Sequence, residues 1–179
     1  MLAEYFARYK ERHPGNLALA MVGPISDTAP EHPDIVATGT VSEADKWDIL
    51  GGAEVMVTPS AYESFSLVLL EAWSLDVPVL VNASCAATME HCRRSGGGLW
   101  FESYRTFEVT VERLVADDRL RRTLGEAGHR YTERYYRWPS IIDRYTRFLA
   151  GVVERGHRRP TGMKRLVQPV AGREYVRPG

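Results

Sequence analysis

Cysteine is scarce in this chain: Cys85 and Cys92 are the only two in 179 residues. Two thiols are too few for a disulfide framework or a zinc site, so both read as reduced packing residues. No apolar run approaches the roughly 20 residues that a membrane-spanning helix needs, and the opening "MLAEYFARYKERHPG" lacks the basic-then-apolar layout of a signal peptide. A cytoplasmic protein is the expectation. Internal repeats and low-complexity segments are lacking too. The five histidines (13, 32, 91, 129, 157) are scattered, with neither a metal-binding pair nor a Ser-His-Asp arrangement. Each reads as structural or surface.

Net charge is also missing, with 23 basic residues against 23 acidic ones, but the balance hides an asymmetry. Residues 151–179 hold seven of the basic residues (155, 158, 159, 164, 165, 173, 177) and two of the acids (154, 174). An acidic body, 1–150, therefore carries a basic tail. Gly and Pro punctuate the tail and no hydrophobic period survives in it, which predicts a flexible terminus. Weak contact with an anionic membrane is the alternative, making the protein membrane-peripheral, and no specific nucleic-acid partner is expected.

The body alternates regularly. "LAEYFARYKERH" has helical spacing at 2, 5, 6 and 9, and "LALAMVG" reads as a buried strand. "DIVATG" is a short strand, and "SEADKWDILGGA" a helix with Ser42 as N-cap. Strand "EVMVTPS", helix "FSLVLLEAWSL", strand "VPVLVN", helix "AATMEHCRRSG" and strand "GLWF" follow. Helices are expected at 104–116, 118–127, 128–136 and 139–150. Apolar strands each followed by a helix predict an α/β fold, a Rossmann-like parallel sheet with helices on both faces, closed by a run of C-terminal helices. Ligands of such sheets bind at the carboxyl ends of the strands, so the loops of interest are 23–34, 39–42, 58–66 and 82–86.

One of these loops opens the stretch "AYESFSLVLLEAWSL", residues 61–75, which has an acid toward each end of a greasy run. Glu63 falls in the loop and Glu71 within the helix, about 12 Å apart along the axis if all the intervening residues were helical. The helix start, Phe65-Ser66-Leu67, lies between them with backbone N–H groups free to meet an anion. An anion site flanked by two carboxylates suits a nucleotide sugar: one acid for a ribose diol, amides for the pyrophosphate, the other acid for sugar hydroxyls. On spacing alone the plainer alternative stands, in which Glu63 decorates a loop and Glu71 is a solvated helix position.

"AEVMVTPSAYESFSLVLLEAWSLDVPVLV", Ala53 to Val81, resembles "ADVFVLPSxYEGFGLVLLEAxAxGxPVV", a segment of the group 1 family of retaining glycosyltransferases with the GT-B fold. "VATGTVSEADKWDILGGA", "SGGGLWFESYRTF" and the helices from Asp117 to Phe148 are similar to the same family, so the resemblance spans about residues 2–150. It implies the donor-binding half of a GT-B enzyme. Glu63 matches the acid that contacts the donor sugar and helps stabilise the departing glycosyl group. Ser64, Phe65, Ser66 and Leu67 match the donor-binding turn, Glu71 the acid on the ribose, and Thr40, Val41 and Ser42 the loop against the nucleobase. The family transfers a sugar from a nucleotide donor such as a UDP-, GDP- or ADP-sugar to a glycan, lipid or small-molecule acceptor, with retention, and uses no metal or other cofactor. Asp117-Asp118 is accordingly expected to start a helix.

Two departures qualify what the resemblance implies. Ser64 and Ser66 stand where the family usually has glycine, which permits positive φ and close backbone approach. The family's first strand, with its Arg/Lys loop for the pyrophosphate, and the N-terminal acceptor domain are not matched here. The chain is therefore expected to need an acceptor domain, in cis or in trans, and to be inactive alone; a missing strand would leave an exposed sheet position, a place for a homodimer contact. Two alternatives stand: a non-catalytic nucleotide- or partner-binding module, and an epimerase on the same fold, for which the scattered histidines give little support.

Overall fold

Helices and strands alternate as α1 (Leu2–Arg12), β1 (Leu19–Val22), β2 (Ile35–Gly39), α2 (Glu43–Gly51), β3 (Met56–Thr58), α3 (Leu67–Ser74), β4 (Val79–Asn82), α4 (Ala86–Ser95), β5 (Gly98–Phe101), α5 (Tyr104–Ala116), α6 (Asp118–Tyr135) and α7 (Trp138–His157). The computed structural model describes residues 1–24 and 31–157. The chain divides into two compact units, Met1–Ser140 and Ile141–Gly179. α7 continues through His157, past the expected stop at 150, and the rest of the predicted tail, 158–179, lies outside the described residues.

Among the described residues all strand pairs are parallel, and the neighbours β3, β4 and β5 are separated by the helices that parallel pairing requires. Among the described residues the expected sheet is divided in two: β1 pairs with β2, and β3-β4-β5 form a separate three-stranded sheet. β4 is buried throughout, and its side chains alternate between two cores. Val79 and Val81 meet Leu69, Trp73, Cys92 and Tyr131 on one face, while Leu80 meets Tyr9, Phe101, Phe107 and Leu114 on the other. Helices thus cover both faces of this sheet. β1 and β2 depart from the expectation of strands buried throughout, since Val22 and Val36 are 43% and 54% exposed.

Lys10 of α1 is buried, and its ammonium is fully engaged with Asp34 Oδ2 at 3.0 Å and the carbonyls of Gly15 and Leu17. A buried cation needs such partners, and here they tie α1 to the entries of β1 and β2. At the end of the same helix, Arg12 and the C-cap His13 reach Glu108 of α5, which also accepts from the Tyr104 hydroxyl at 2.9 Å. Burial by itself pushes the Glu108 carboxyl up, but the hydrogen bonds from Tyr104 and His13 and the charge of Arg12 outweigh this and hold it below the usual range.

α6 is one helix, Asp118–Tyr135, where the sequence predicts two breaking at 127/128. Gly125 and Gly128 do not end a helix; they let it approach. A Cβ at Gly128 would collide with the indole of Trp73, and one at Gly125 with the backbone carbonyl of Asp76. Trp73 is fully buried and donates its Nε1–H to the Gly97 carbonyl at 2.8 Å, so it cannot yield. Gly128→Ala is therefore expected to lower the unfolding free energy by about 2 kcal/mol or more in urea denaturation. Gly51→Ala, whose Cβ would sit 3.6 Å from a Leu75 methyl, is expected to be neutral or mildly stabilising.

Candidate functional site

The carboxyl ends of β2, β3 and β4 open into the segments 40–42, 59–66 and 83–85, each leading into a helix. The remaining loop of interest, 23–34, includes 25–30, which lie outside the described residues. Asn82, the last residue of β4, is buried and joins two of these segments. Its Nδ2 donates to the Pro59 carbonyl at 3.0 Å and its Oδ1 accepts the Ser84 N–H at 2.9 Å. The course of the loop bearing Glu63 is thereby set by its neighbour strand.

That loop ends at Ser66, in the left-handed region at φ 62°. A serine there is strained by its Cβ, at the position where glycine is expected by resemblance. The consequence for the helix is chemical: Ser66 is the N-cap of α3 but makes no side-chain cap hydrogen bond, so the first-turn N–H groups of Leu67–Ser74 keep their capacity to meet an anion. By contrast Ser42, Ser103 and Asp117 cap α2, α5 and α6. Asp117 takes the Leu120 N–H at 2.9 Å, which makes it the expected helix start.

Around α3 the side chains divide. Glu63 and Ser64 are exposed, Phe65 is half-buried, Ser66 is buried and Leu67 is 69% exposed. The Phe65 ring packs edge-on to His91 at 5.3 Å and against Tyr136 at 5.4 Å, anchoring the loop in an aromatic cluster. His91 faces Tyr131 Oη at 3.3 Å, with Arg94 and Glu90 nearby; burial and the Arg94 charge hold its imidazole below the usual range. Cys85 is buried beside the same loop. Burial pushes its thiol up, but hydrogen bonds from Thr88 and from the backbones of Glu63 and Ala87 outweigh this and leave it lowered. Cys92, with no such donors, is pushed up to about 12 by burial.

Glu71 lies one turn into α3, half-buried, and its Oε1 is 3.0 Å from Lys46 Nζ on α2. Lys46 also reaches Glu43 Oε2 at 2.9 Å; hydrogen bonds to Glu43 and Glu71 raise its ammonium above the ordinary lysine range. In the 40–42 segment Thr40 is exposed and Val41 half-buried, while the Ser42 side chain is engaged with Asp45 through both its oxygen and its proton. The Ser42 carbonyl accepts the Lys46 N–H at 2.9 Å, so Ser42 has its backbone N–H left to offer a ligand. Among the described residues no group of three or more His, Cys, Asp or Glu is arranged to hold a metal ion. No described helix is long and apolar enough to cross a membrane.

Lys46, Asn82 and Cys85 support the candidate site without being singled out in the sequence, although Asn82 and Cys85 fall within the loop of interest 82–86. Nothing in the local pattern shows their partners, because each acts on a loop or helix distant in the chain. Relief of the strain at Ser66 is directly measurable. Ser66→Gly is expected to raise stability by about 0.5 kcal/mol, left-handed strain outweighing the added unfolded-state entropy, while Ser66→Val lowers it by about 2 kcal/mol.

The profile described as "Glycosyl transferases group 1" matches residues 4–131, more than half of the chain. "Glycosyltransferase 1 domain-containing protein 1" of Xenopus tropicalis is 26% identical over 167 residues, covering 87% of this chain and 47% of that protein. "Lipopolysaccharide core biosynthesis glycosyltransferase LpsE" of Rhizobium meliloti (strain 1021) is 30% identical over 108 residues, 59% of this chain and 32% of its own length. The chain thus spans half or less of the curated relatives it matches. Among solved structures, sucrose-phosphate synthase of Thermosynechococcus elongatus superposes with a TM-score of 0.69 at 21% identity, over 86% of this chain and 42% of that one. That likeness identifies the Rossmann-like half of the GT-B fold. With the profile spanning α1 to α6, the chain belongs to the group 1 glycosyl transferases.

Proposed function

We propose that this chain is the donor-binding half of a retaining glycosyltransferase that uses a nucleotide sugar. The observation that carries the reading is the start of α3, which lacks a side-chain cap and lies between Glu63 and Glu71 at the strand ends. Backbone N–H groups there meet the diphosphate, Glu71 takes the ribose hydroxyls, and the 40–42 segment lies against the base through its backbone. Exposed Glu63 faces the sugar and stabilises positive charge developing on it as the bond to the diphosphate breaks. The leaving group departs with the electron pair, the acceptor hydroxyl supplies the new bond, and its proton leaves with the diphosphate. This chemistry asks the protein for positioning and fixed charge, and for no metal or protein nucleophile.

The acceptor is a glycan, lipid or small molecule held by an acceptor domain, in cis or in trans. Without that domain the cleft cannot close and exclude water, so the isolated chain binds donor weakly and does not turn over. A non-catalytic module using the same nucleotide site is the second reading; it is favoured by Ser66, whose Cβ crowds the approach that glycine would leave open.

Calorimetric titration with UDP, GDP and ADP and their sugar conjugates tests the donor site. One nucleotide is expected to bind, Glu71→Ala to weaken it by about tenfold or more, and Glu63→Ala to remove only the extra affinity of the sugar conjugate. Equal loss of nucleotide and conjugate in both variants, or no binding at millimolar concentration, contradicts the assignment.

A further inference from the structure

We infer that Lys46 is a positioning residue for nucleotide recognition, holding Glu71 in the pose that reads the ribose and locking α2 to α3. The inference rests on the donor-site reading above and adds a residue to it. Its basis is the bridge of Lys46 Nζ to Glu71 Oε1 at 3.0 Å and to Glu43 Oε2 at 2.9 Å.

Three features give the bridge this role. Among the described residues Lys46 is the one polar partner of the Glu71 carboxylate, and it engages a single oxygen, leaving Oε2 to accept hydroxyl hydrogen bonds. A free glutamate would sample several rotamers; a carboxylate already held by one oxygen loses less freedom when a diol docks on the other. Second, Lys46 sits one turn into α2, the helix whose N-cap is Ser42. The bridge therefore sets the spacing between the segment expected to meet the base and the acid expected to meet the ribose, two ends of one nucleoside. Third, Glu43 is 81% exposed on its side chain whereas Lys46 and Glu71 are 26% and 25% exposed. The outer acid orients the ammonium, and the inner pair is shielded. An ion pair at such a position contributes modestly to stability, so its loss is expected to leave the fold intact and to be read in binding.

The test compares whichever of UDP, GDP and ADP binds with its 2′,3′-dideoxy counterpart, which offers Glu71 no hydroxyls. The wild-type chain is expected to prefer the ribose form by on the order of tenfold. Glu71→Gln removes that preference, which establishes the acid's role independently of Lys46. Lys46→Met is expected to reduce the preference to about twofold while leaving affinity for the dideoxy form unchanged; Lys46→Arg restores most of it, and Glu43→Gln keeps it. A merely structural role would weaken both nucleotides in parallel. That outcome, or a full preference retained in Lys46→Met, overturns the inference while the Glu71 result leaves the donor site standing. A wild-type chain that binds no nucleotide, or shows no preference, overturns both.

Discussion

The seating of Trp73 against α6 is the contact on which the rest of the unit depends. The indole is fully buried, its N–H is satisfied by the Gly97 carbonyl, and its face is met by Gly128 and Tyr131. A large side chain with one satisfied donor and a neighbour too small to move contributes both burial energy and position. Glu71 stands two residues before Trp73 on α3, and the uncapped start of the helix lies one turn further back. Whatever fixes Trp73 therefore fixes the uncapped amides and the candidate ribose acid. The glycines at 125 and 128 serve the site from a distance by letting α6 close on α3.

A second constraint runs through polar tethers between strand ends. Asn82 joins the exit of β4 to the carbonyl of Pro59, and the aromatic group of Phe65, His91 and Tyr136 anchors the far side of the same loop. Between these anchors Ser66 adopts a left-handed conformation that its side chain opposes. Strain of this kind persists where surrounding packing over-determines the backbone, and here it coincides with the turn that aims α3 at the strand ends. Stability is spent locally to orient a helix terminus.

Much of the layout was legible in the sequence because its signals are local. The alternation of apolar segments and helical spacing marks the strands and most of the helices, and Ser42 and Asp117 cap the helices they were expected to start. The Glu63–Glu71 segment could be placed at a strand end for the same reason. Long-range effects stayed hidden. Gly125 and Gly128 look like a break until Trp73 and Asp76 are seen against them. Lys46 and Glu71 are partners across 25 residues on different helices, a pairing that no periodicity encodes. The division of the sheet into β1-β2 and β3-β4-β5 is likewise a matter of pairing, since strand identity does not determine which neighbour supplies the hydrogen bonds.

These contacts converge on one physical idea: a helix start, held rigidly by its aromatic residue and left without a cap, flanked by two carboxylates at the ends of parallel strands. The most direct measurement is to follow the backbone amide resonances of the chain while titrating the nucleoside diphosphates. The account predicts that the largest shifts fall on Phe65 to Leu69, at the start of α3, with smaller ones at Thr40 to Ser42. Shifts confined to other elements, with those amides unmoved, would contradict it.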